Sequence, residues 1–582
     1  MLGKIVGIKD SIIYVSLGIN IYNTDNLIGK NVVFSDKFVG EINSVANNMI
    51  YISLIGEINN NVFYPGSLNF PAFNSECRLI TSKELDIMYG SSNGNAITIG
   101  KSYIYNNYNI TLNVNSFFSN HFAILGNSGS GKSYFVTKLI QSVFYDNKST
   151  PYNSNIFLFD AFGEYQQAFM NISQFNNRLA YKVITTDLND NNFEKLLIPF
   201  WLLDVDDIAL LLNVDDIRQI GILEKALKLV VFFTKSDEEV VKQKNDIIAR
   251  ALLDIIFSVG NHNEVRNKIV SVLSQFNTED INLDINLTKG GWTRSFRQCV
   301  SITDNGNFAD IEIIISYLEG FCMNDYELVL PDGSFMYSIK DFYQALEFAL
   351  ISEGIFSSNK IYDYANILKI RLNAMINNNY VNYFNCDRYI TRDDYIKYLL
   401  YTQDGRKCQL VNYNINYVDD RFAKVITKVI SKLLFNYSTH LVNRASEAFH
   451  IILEEAHRYV QNDIDTKILG YNIFDRITKE GRKYGILLGV ISQRPSELST
   501  TVLSQCSNFA VFKMFYKKDI DFVTDAVANF SSSMINKLKT LSPGSCILFG
   551  TAFKIPAITI VDLPNPTPKS DSCNINQIWY VN

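Results

Sequence analysis

The chain has 582 residues, 47% of them hydrophobic and 19% charged, which excludes a disordered polymer and exceeds what one ordinary core accommodates, so two to four domains are expected. The net charge of −6 excludes a uniformly basic nucleic-acid coat; any contact with nucleic acid has to be local, through a few Lys or Arg side chains. The eight cysteines are scattered with no C-x-x-C pair and no zinc spacing, which reads as free thiols in a reducing compartment.

Residues 1–95 carry short β-branched and aromatic runs separated by Gly, Asn and Asp, including Lys4–Ile8, Ser11–Val15, Asn31–Phe34, Val39–Ile42 and Met49–Leu54. This rhythm predicts a small β-barrel, and the absence of acid/base pairs or a glycine cradle suits assembly or partner docking. The start, Met1 to Asp10, is interrupted by charges and lacks a signal-peptide core, and no apolar run approaches a membrane span, so a cytoplasmic protein without membrane association is expected.

Residues 96–200 bring in a nucleotide-type loop. The apolar run Phe122–Leu125 precedes Gly126-Asn127-Ser128-Gly129-Ser130-Gly131-Lys132-Ser133, and Phe135, Val136, Leu139, Ile140 and Val143 follow at helical spacing. Strand, glycine loop and helix form the context of the phosphate-binding P-loop, G-x-x-x-x-G-K-[ST]. In that pattern backbone N–H groups and the helix N-terminus face an anion, Lys132 reaches β/γ-phosphates and Ser133 ligates Mg²⁺. The helix is expected to end at the breaker run 146–151. Next, Ile156–Asp160 reads as a buried strand ending in a carboxylate, followed by the turn Ala161–Tyr165. Asp160 suits equally a site carboxylate beside the P-loop and a helix N-cap.

Residues 201–440 read as a helix-rich insertion. Two near-repeats, Val205-Asp206-Asp207-Ile208 and Val214-Asp215-Asp216-Ile217, each precede an amphipathic run, so their aspartates are expected to be N-caps rather than metal ligands. Gly290-Gly291 and Pro331-Asp332-Gly333 read as turns, and helices are expected to resume at 339–350 and 362–377. This stretch offers no catalytic constellation.

The strand pattern returns over 441–563. Phe449–Leu453 runs into Glu454-Glu455 and Ala456-His457-Arg458. Two acids at a strand end complete a P-loop site: Glu454 takes the metal side and Glu455 polarises the attacking water. Ile486–Ser492 ends in Gln493, placed to sense a γ-phosphate, while Arg482, then Lys483, are the candidates for an arginine finger delivered to a neighbouring copy. Their alternative is charge at a helix C-terminus that offsets the dipole. The tail 564–582, with prolines at 564, 566 and 568 and an aromatic end at Trp579-Tyr580, reads as an intersubunit strap or a loose terminus.

These motifs together resemble the HerA-type ATPases of the FtsK/HerA branch of P-loop proteins. The likeness rests on His121–Gly126 with the P-loop, Asp160–Tyr165, Glu454-Glu455-Ala456-His457, Glu480–Gly485, Ser492–Ser496, the N-terminal barrel and the stretch Pro543 to Pro556. The resemblance implies an α/β fold, a RecA-like core with a small N-terminal β-barrel and a helix-rich insertion. It also implies a hexameric ring that hydrolyses ATP with Mg²⁺ and moves double-stranded DNA, working with a nuclease or, in anti-phage systems, a sirtuin-like NAD-consuming effector. On it Lys132, Ser133, Asp160, Glu454, Glu455, Arg482 and Gln493 inherit the ATPase roles. Two departures stand out: Ala161-Phe162 replaces the family's Pro-His, and Asn120 stands where an Arg often precedes the P-loop strand. The alternatives are an ATP-gated scaffold that activates an effector with little translocation, which the acidic charge favours slightly, and a secretion or conjugation ATPase that needs a membrane partner.

Overall fold

A computed structural model describes the whole chain except residues 10, 19–26, 91–94, 106–107, 146–149, 235–236, 259, 324–334, 353–358, 462–463, 527–531, 571–574 and 580–582. The breaker positions 146–149, the Pro331-Asp332-Gly333 turn and the last tail residues lie outside the described residues. The chain divides into two compact units, one of 1–195, 396–462 and 471–582, the other of 196–395 and 463–470.

The first unit begins with the expected barrel. Strand Ile12–Leu17 pairs with Gly3–Lys9 on one side and with Met49–Asn59 on the other, which closes a ring through Glu76–Leu79, Asn31–Phe34 and Phe38–Ala46. A seventh strand, Val62–Pro65, hangs on Met49–Asn59 outside the closed ring. Alternation drives the closure: Ile13, Val15 and Leu17 face inward with Ile5, Phe34, Ile42, Ile50 and Ile52, while intervening residues face out.

The rest of this unit is built on a twelve-stranded sheet. Eight strands run parallel, in the spatial order Glu194–Lys195, Tyr181–Thr185, Leu410–Asn414, Asn155–Asp160, Phe449–Leu453, Ile486–Ser492, Phe122–Leu125 and Asn508–Phe512. Four antiparallel strands, Ser545–Gly550, Ala557–Val561, Ala96–Ser102 and Asn109–Asn113, extend it. The central parallel strands are buried along their whole length, as strands covered on both faces must be. Helix Lys132–Phe144 packs Phe135, Val136, Leu139, Ile140 and Phe144 into the core beneath them. This is the α/β class that the alternation of strands and helices implied.

Leu410–Asn414 lies inside the sheet, so the helix-rich stretch ends before it, and the second unit spans Leu196–Tyr395 rather than 201–440. Its sequence, Leu-Val-Asn-Tyr-Asn, hides a buried strand because two asparagines interrupt the apolar run. Helix Asp420–Thr439 likewise belongs to the first unit.

The second unit is helical, with Ile217–Phe232, Asp237–Phe257, His262–Gln275, Ile339–Ser352 and Asn359–Ile376 as its longer members. Asp216 caps Ile217–Phe232 by accepting from the Arg218 N–H, but Val205–Leu211 is capped by Asp204, with Asp207 closing the capping box three residues on. The Gly290-Gly291 turn joins strands Asn286–Lys289 and Trp292–Ser295. Among the described residues no cluster of His, Cys, Asp and Glu could hold a metal unaided, and no helix is long and apolar enough to cross a membrane.

Candidate active site

Parallel strands present their C-terminal ends on one edge, and there the loops after Phe122–Leu125, Asn155–Asp160, Phe449–Leu453 and Ile486–Ser492 converge. The P-loop is fastened on both flanks. Gly126 donates to the Ser492 carbonyl at 3.2 Å, and Asn127 donates to the Lys513 carbonyl at 3.0 Å. Gly126 is at φ 154°, where a Cβ would stand 2.5 Å from Phe512 Cβ; Gly131, at φ 113°, has Gly544 Cα 3.1 Å from its would-be Cβ. Only glycine satisfies both the turn and the close approach. Gly544 in turn donates to the Ser130 carbonyl at 2.9 Å, so Pro543-Gly544 backs the loop.

A cavity of about 450 Å³ opens at the loop. Ser128, Gly129, Gly131, Lys132 and Ser133 line one side of it, and Glu454, Glu455, Glu164 and Phe162 another. Lys132 is buried, and its ammonium donates to the Asn127 carbonyl at 3.0 Å. Burial pulls its pKa below the usual lysine value against the opposing pull of Glu455, Glu454 and Glu164. Glu454 accepts from the Ala161 N–H at 3.0 Å. Burial first, then the neighbouring Asp160, Glu164 and Glu455, push its pKa well above the usual carboxylate range. Glu455 is also raised by burial, and Lys132 and the Gln493 N–H hold it back.

Glu455 sits in the left-handed region at φ 48°. A non-glycine residue there stores about 1–3 kcal/mol of backbone strain, which clusters at functional sites. Beside it, His457 Nδ1 lies 3.2 Å from Glu455 Oε2 and 3.2 Å from Ser492 Oγ. Burial lowers the His457 pKa, and its Nδ1 is within hydrogen-bond reach of the Ser492 hydroxyl, while Glu455 Oε2 has no hydrogen-bond partner among the described residues.

Asp160 does not reach the cavity. Its carboxylate is fully buried and accepts from the N–H groups of Gly163 at 2.7 Å, Glu164 at 3.0 Å and Tyr165 at 3.0 Å, with the Asn412 amide at 3.3 Å. It caps the turn, and that turn carries Glu164 into the cavity. Gln493 sits at the tip of the strand lying between the P-loop strand and the Glu454 strand; its backbone touches Glu455, and its side chain is not part of the cavity wall. Arg482 and Lys483 are exposed and lie elsewhere, in the turn Gly481–Tyr484 that precedes Ile486–Ser492. Arg482 acts electrostatically on His121, at the opposite end of the P-loop strand from Gly126.

Two sets of residues at the site were not apparent in the sequence. Glu164 and His457 sit inside recognised motifs but carry no spacing signal of their own. Asp562 and Leu563, just before the tail, and Ser570 within it complete the cavity wall. Gln141, on the P-loop helix, binds this tail by accepting from the Asn565 N–H at 2.9 Å and donating to the Pro566 carbonyl at 2.8 Å, and Lys569 N–H donates to the Glu164 carbonyl at 2.8 Å. The tail therefore runs along its own P-loop helix as far as residue 570.

The donor set fits a hard divalent cation. Glu164, Glu454 and Glu455 share the cavity with the Lys132 ammonium, and burial raises the carboxyl pKa values of Glu454 and Glu455. Mg²⁺ is held in such sites by one or two carboxylates or hydroxyls together with substrate phosphates, without a protein cage.

Among known families, the one described as "Helicase HerA, central domain" matches residues 97–286. The chain is 30% identical over 166 residues to a probable helicase of Methanocaldococcus jannaschii, which covers 28% of this chain and 32% of that protein. It is 23% identical over 518 residues to the DNA double-strand break repair helicase HerA of Pyrococcus furiosus, covering 87% of this chain and 76% of that protein. It is 24% identical over 542 residues to a probable DNA double-strand break repair helicase HerA of Methanocaldococcus jannaschii, covering 92% of this chain and 87% of that one. The chain thus spans about a third of the first of these relatives and most of the other two.

Proposed function

We propose, starting from the chain's similarity to the HerA-type P-loop ATPases, that it is a ring-forming, Mg²⁺-dependent ATPase that moves double-stranded DNA. The observation that carries this reading is one cavity holding Lys132 and Ser133 on one wall and Glu454 and Glu455 on the other. The relatives named as DNA repair helicases, which align over most of this chain, supply the substrate class.

Each residue then has a physical task. The N–H groups of the P-loop and the start of helix Lys132–Phe144 bind the β/γ-phosphates, and Lys132 neutralises the charge that develops there. Ser133 and Glu454 would hold Mg²⁺, which supplies charge neutralisation at the phosphates. Glu455 takes the proton of the attacking water, and His457 lies 3.2 Å from its Oε2. The Gln493 backbone ties Glu455 to the strand next to the P-loop and serves as a sensor position. Arg482, remote from its own P-loop, acts on a neighbour's γ-phosphate in a hexamer.

The barrel 1–95 is the docking module for a nuclease or a sirtuin-like effector, in DNA processing or anti-phage defence, and the ring works in the cytoplasm. The net charge of −6 keeps one other reading in play, an ATP-gated scaffold that activates the effector with little translocation. Lys132→Ala is expected to abolish turnover and ATP binding, whereas Glu455→Ala abolishes turnover and still binds ATP. Normal turnover in either variant sinks the site. DNA that stimulates ATPase, with an affinity falling steeply with salt, supports the motor; ATPase indifferent to DNA supports the scaffold.

A further inference from the structure

Strand Asn508–Phe512, the parallel neighbour of the P-loop strand, ends in Lys513-Met514-Phe515-Tyr516-Lys517-Lys518. Phe515 is 65% exposed and Tyr516 61%, and Lys517 and Lys518 are exposed beside them. Lys513 Nζ stands 4.9 Å from the centre of the Phe515 ring. Adjacent exposed rings with three lysines serve neither a core nor simple solubility, because burying such rings would be favourable. The cluster is also anomalous for this chain, whose net charge is −6. Of the acids nearby, Asp519 is buried, its carboxylate accepting from the Ser496 N–H at 3.0 Å, whereas the exposed Asp521, one helical turn beyond Lys517, shares its face and offsets part of the charge.

The loop is built rather than slack. Its first carbonyl, of Lys513, accepts from Asn127 of the P-loop at 3.0 Å, and Met514 is fully buried. Its far end is tied through Asp519 to Ser496, three residues beyond Gln493. The exposed rings and lysines are thus held between the phosphate-binding loop and the sensor segment.

We propose that Phe515, Tyr516, Lys517 and Lys518 form a nucleic-acid contact, the lysines neutralising backbone phosphates and the rings lying against bases, and that its two anchors transmit the nucleotide state of the site to the bound strand. Lysine–phosphate contacts give salt-dependent binding, and ring–base contacts give binding that is far less so. The proposal rests on the DNA-motor reading and locates the contact that reading needs. Both a single strand and a duplex offer phosphates with accessible base surface, and the experiment distinguishes them.

The test is fluorescence anisotropy of the full-length protein with a labelled thymidine oligonucleotide and a labelled mixed-sequence duplex, across a salt series, with and without an ATP analogue. Lys517→Ala/Lys518→Ala is expected to weaken binding tenfold or more and to make the slope of log affinity against log salt shallower by about 2. Phe515→Ala/Tyr516→Ala is expected to weaken binding tenfold or more with the slope unchanged. A loss confined to the oligonucleotide assigns the rings to a single strand, and a loss on both assigns them to a groove of the duplex. Both double variants should keep wild-type ATP binding, DNA-free ATPase and thermal unfolding, since the altered side chains lie outside the cavity and the core. Wild-type DNA binding in both variants overturns this contact and leaves the motor reading standing. Absence of DNA binding by the wild-type protein, with or without the analogue, overturns both.

Discussion

Glu454 shows how the site couples charge to stability. It is buried beside Asp160 and Glu455, and its pKa lies well above the ordinary 4.5. A carboxyl whose folded-state pKa is raised contributes stability that is fully present below its unfolded value and is lost as pH rises through the folded one. Without nucleotide, the wild-type protein should therefore lose stability relative to Glu454→Gln as pH rises, with the two alike at the acid end, where both side chains are neutral. Thermal unfolding of the pair across pH measures this; parallel curves would show that Glu454 is ionised without cost and that the acid excess is not stored in the fold. Glu454→Gln should also lose turnover, because the amide cannot balance a divalent cation. Under the proposed role of Glu455 as base, burial raises its carboxyl pKa and ATPase activity is expected to fall as pH drops, which a pH profile of turnover measures.

The P-loop helix Lys132–Phe144 does more than end at the phosphate loop. Its buried Gln141 holds residues 565–566 of the tail, and Asp562, Leu563 and Ser570 form part of the cavity wall. Gln141→Ala removes both hydrogen bonds to the tail; Asn565 is exposed and Pro566 half-buried, so water can reach the freed groups and the cost is about 0.5–1.5 kcal/mol. The expected outcome is a tail cut readily by protease near residue 562 and a raised KM for ATP with kcat nearly intact. A change in kcat alone would mean that the tail does not shape the binding wall. This element also marks where sequence reading stops. The P-loop, Glu454-Glu455 and the strand leading to Gln493 are legible because each is a local pattern, an apolar run followed by a polar tip. Strand Leu410–Asn414 is not legible, since nothing local signals that the buried Asn412 donates its amide NH2 to Asp160 and Tyr181. The tail's place at the site is set by contacts with Gln141, more than 420 residues earlier, and no local signal carries that distance. Asp160 looked equally fit for chemistry and capping from its position; in the structure its carboxylate accepts three N–H groups of the turn that delivers Glu164 and also lies against Glu454.

At the scale of the whole chain, the two ends of the P-loop strand have different neighbours. Gly126 opens the phosphate loop at the C-terminal end, whereas His121, on which Arg482 acts, lies at the start of the same strand. Five residues of extended chain separate them by about 16 Å. Arg482 therefore cannot serve its own P-loop, and as a finger it has to act on the next copy. The consequence is complementation. Lys132→Ala subunits keep an intact Arg482, and Arg482→Ala subunits keep an intact P-loop. Each variant alone should be inactive, since every interface lacks one half. Mixed before assembly, they form some interfaces in which an intact P-loop meets an intact Arg482, and the mixture should regain part of the wild-type ATPase. Native mass measurement with ATP and DNA establishes that the mixed rings have formed. Mixed rings that remain inactive would remove Arg482 from the site and leave its charge as a counterweight to the dipole of helix Ile473–Glu480.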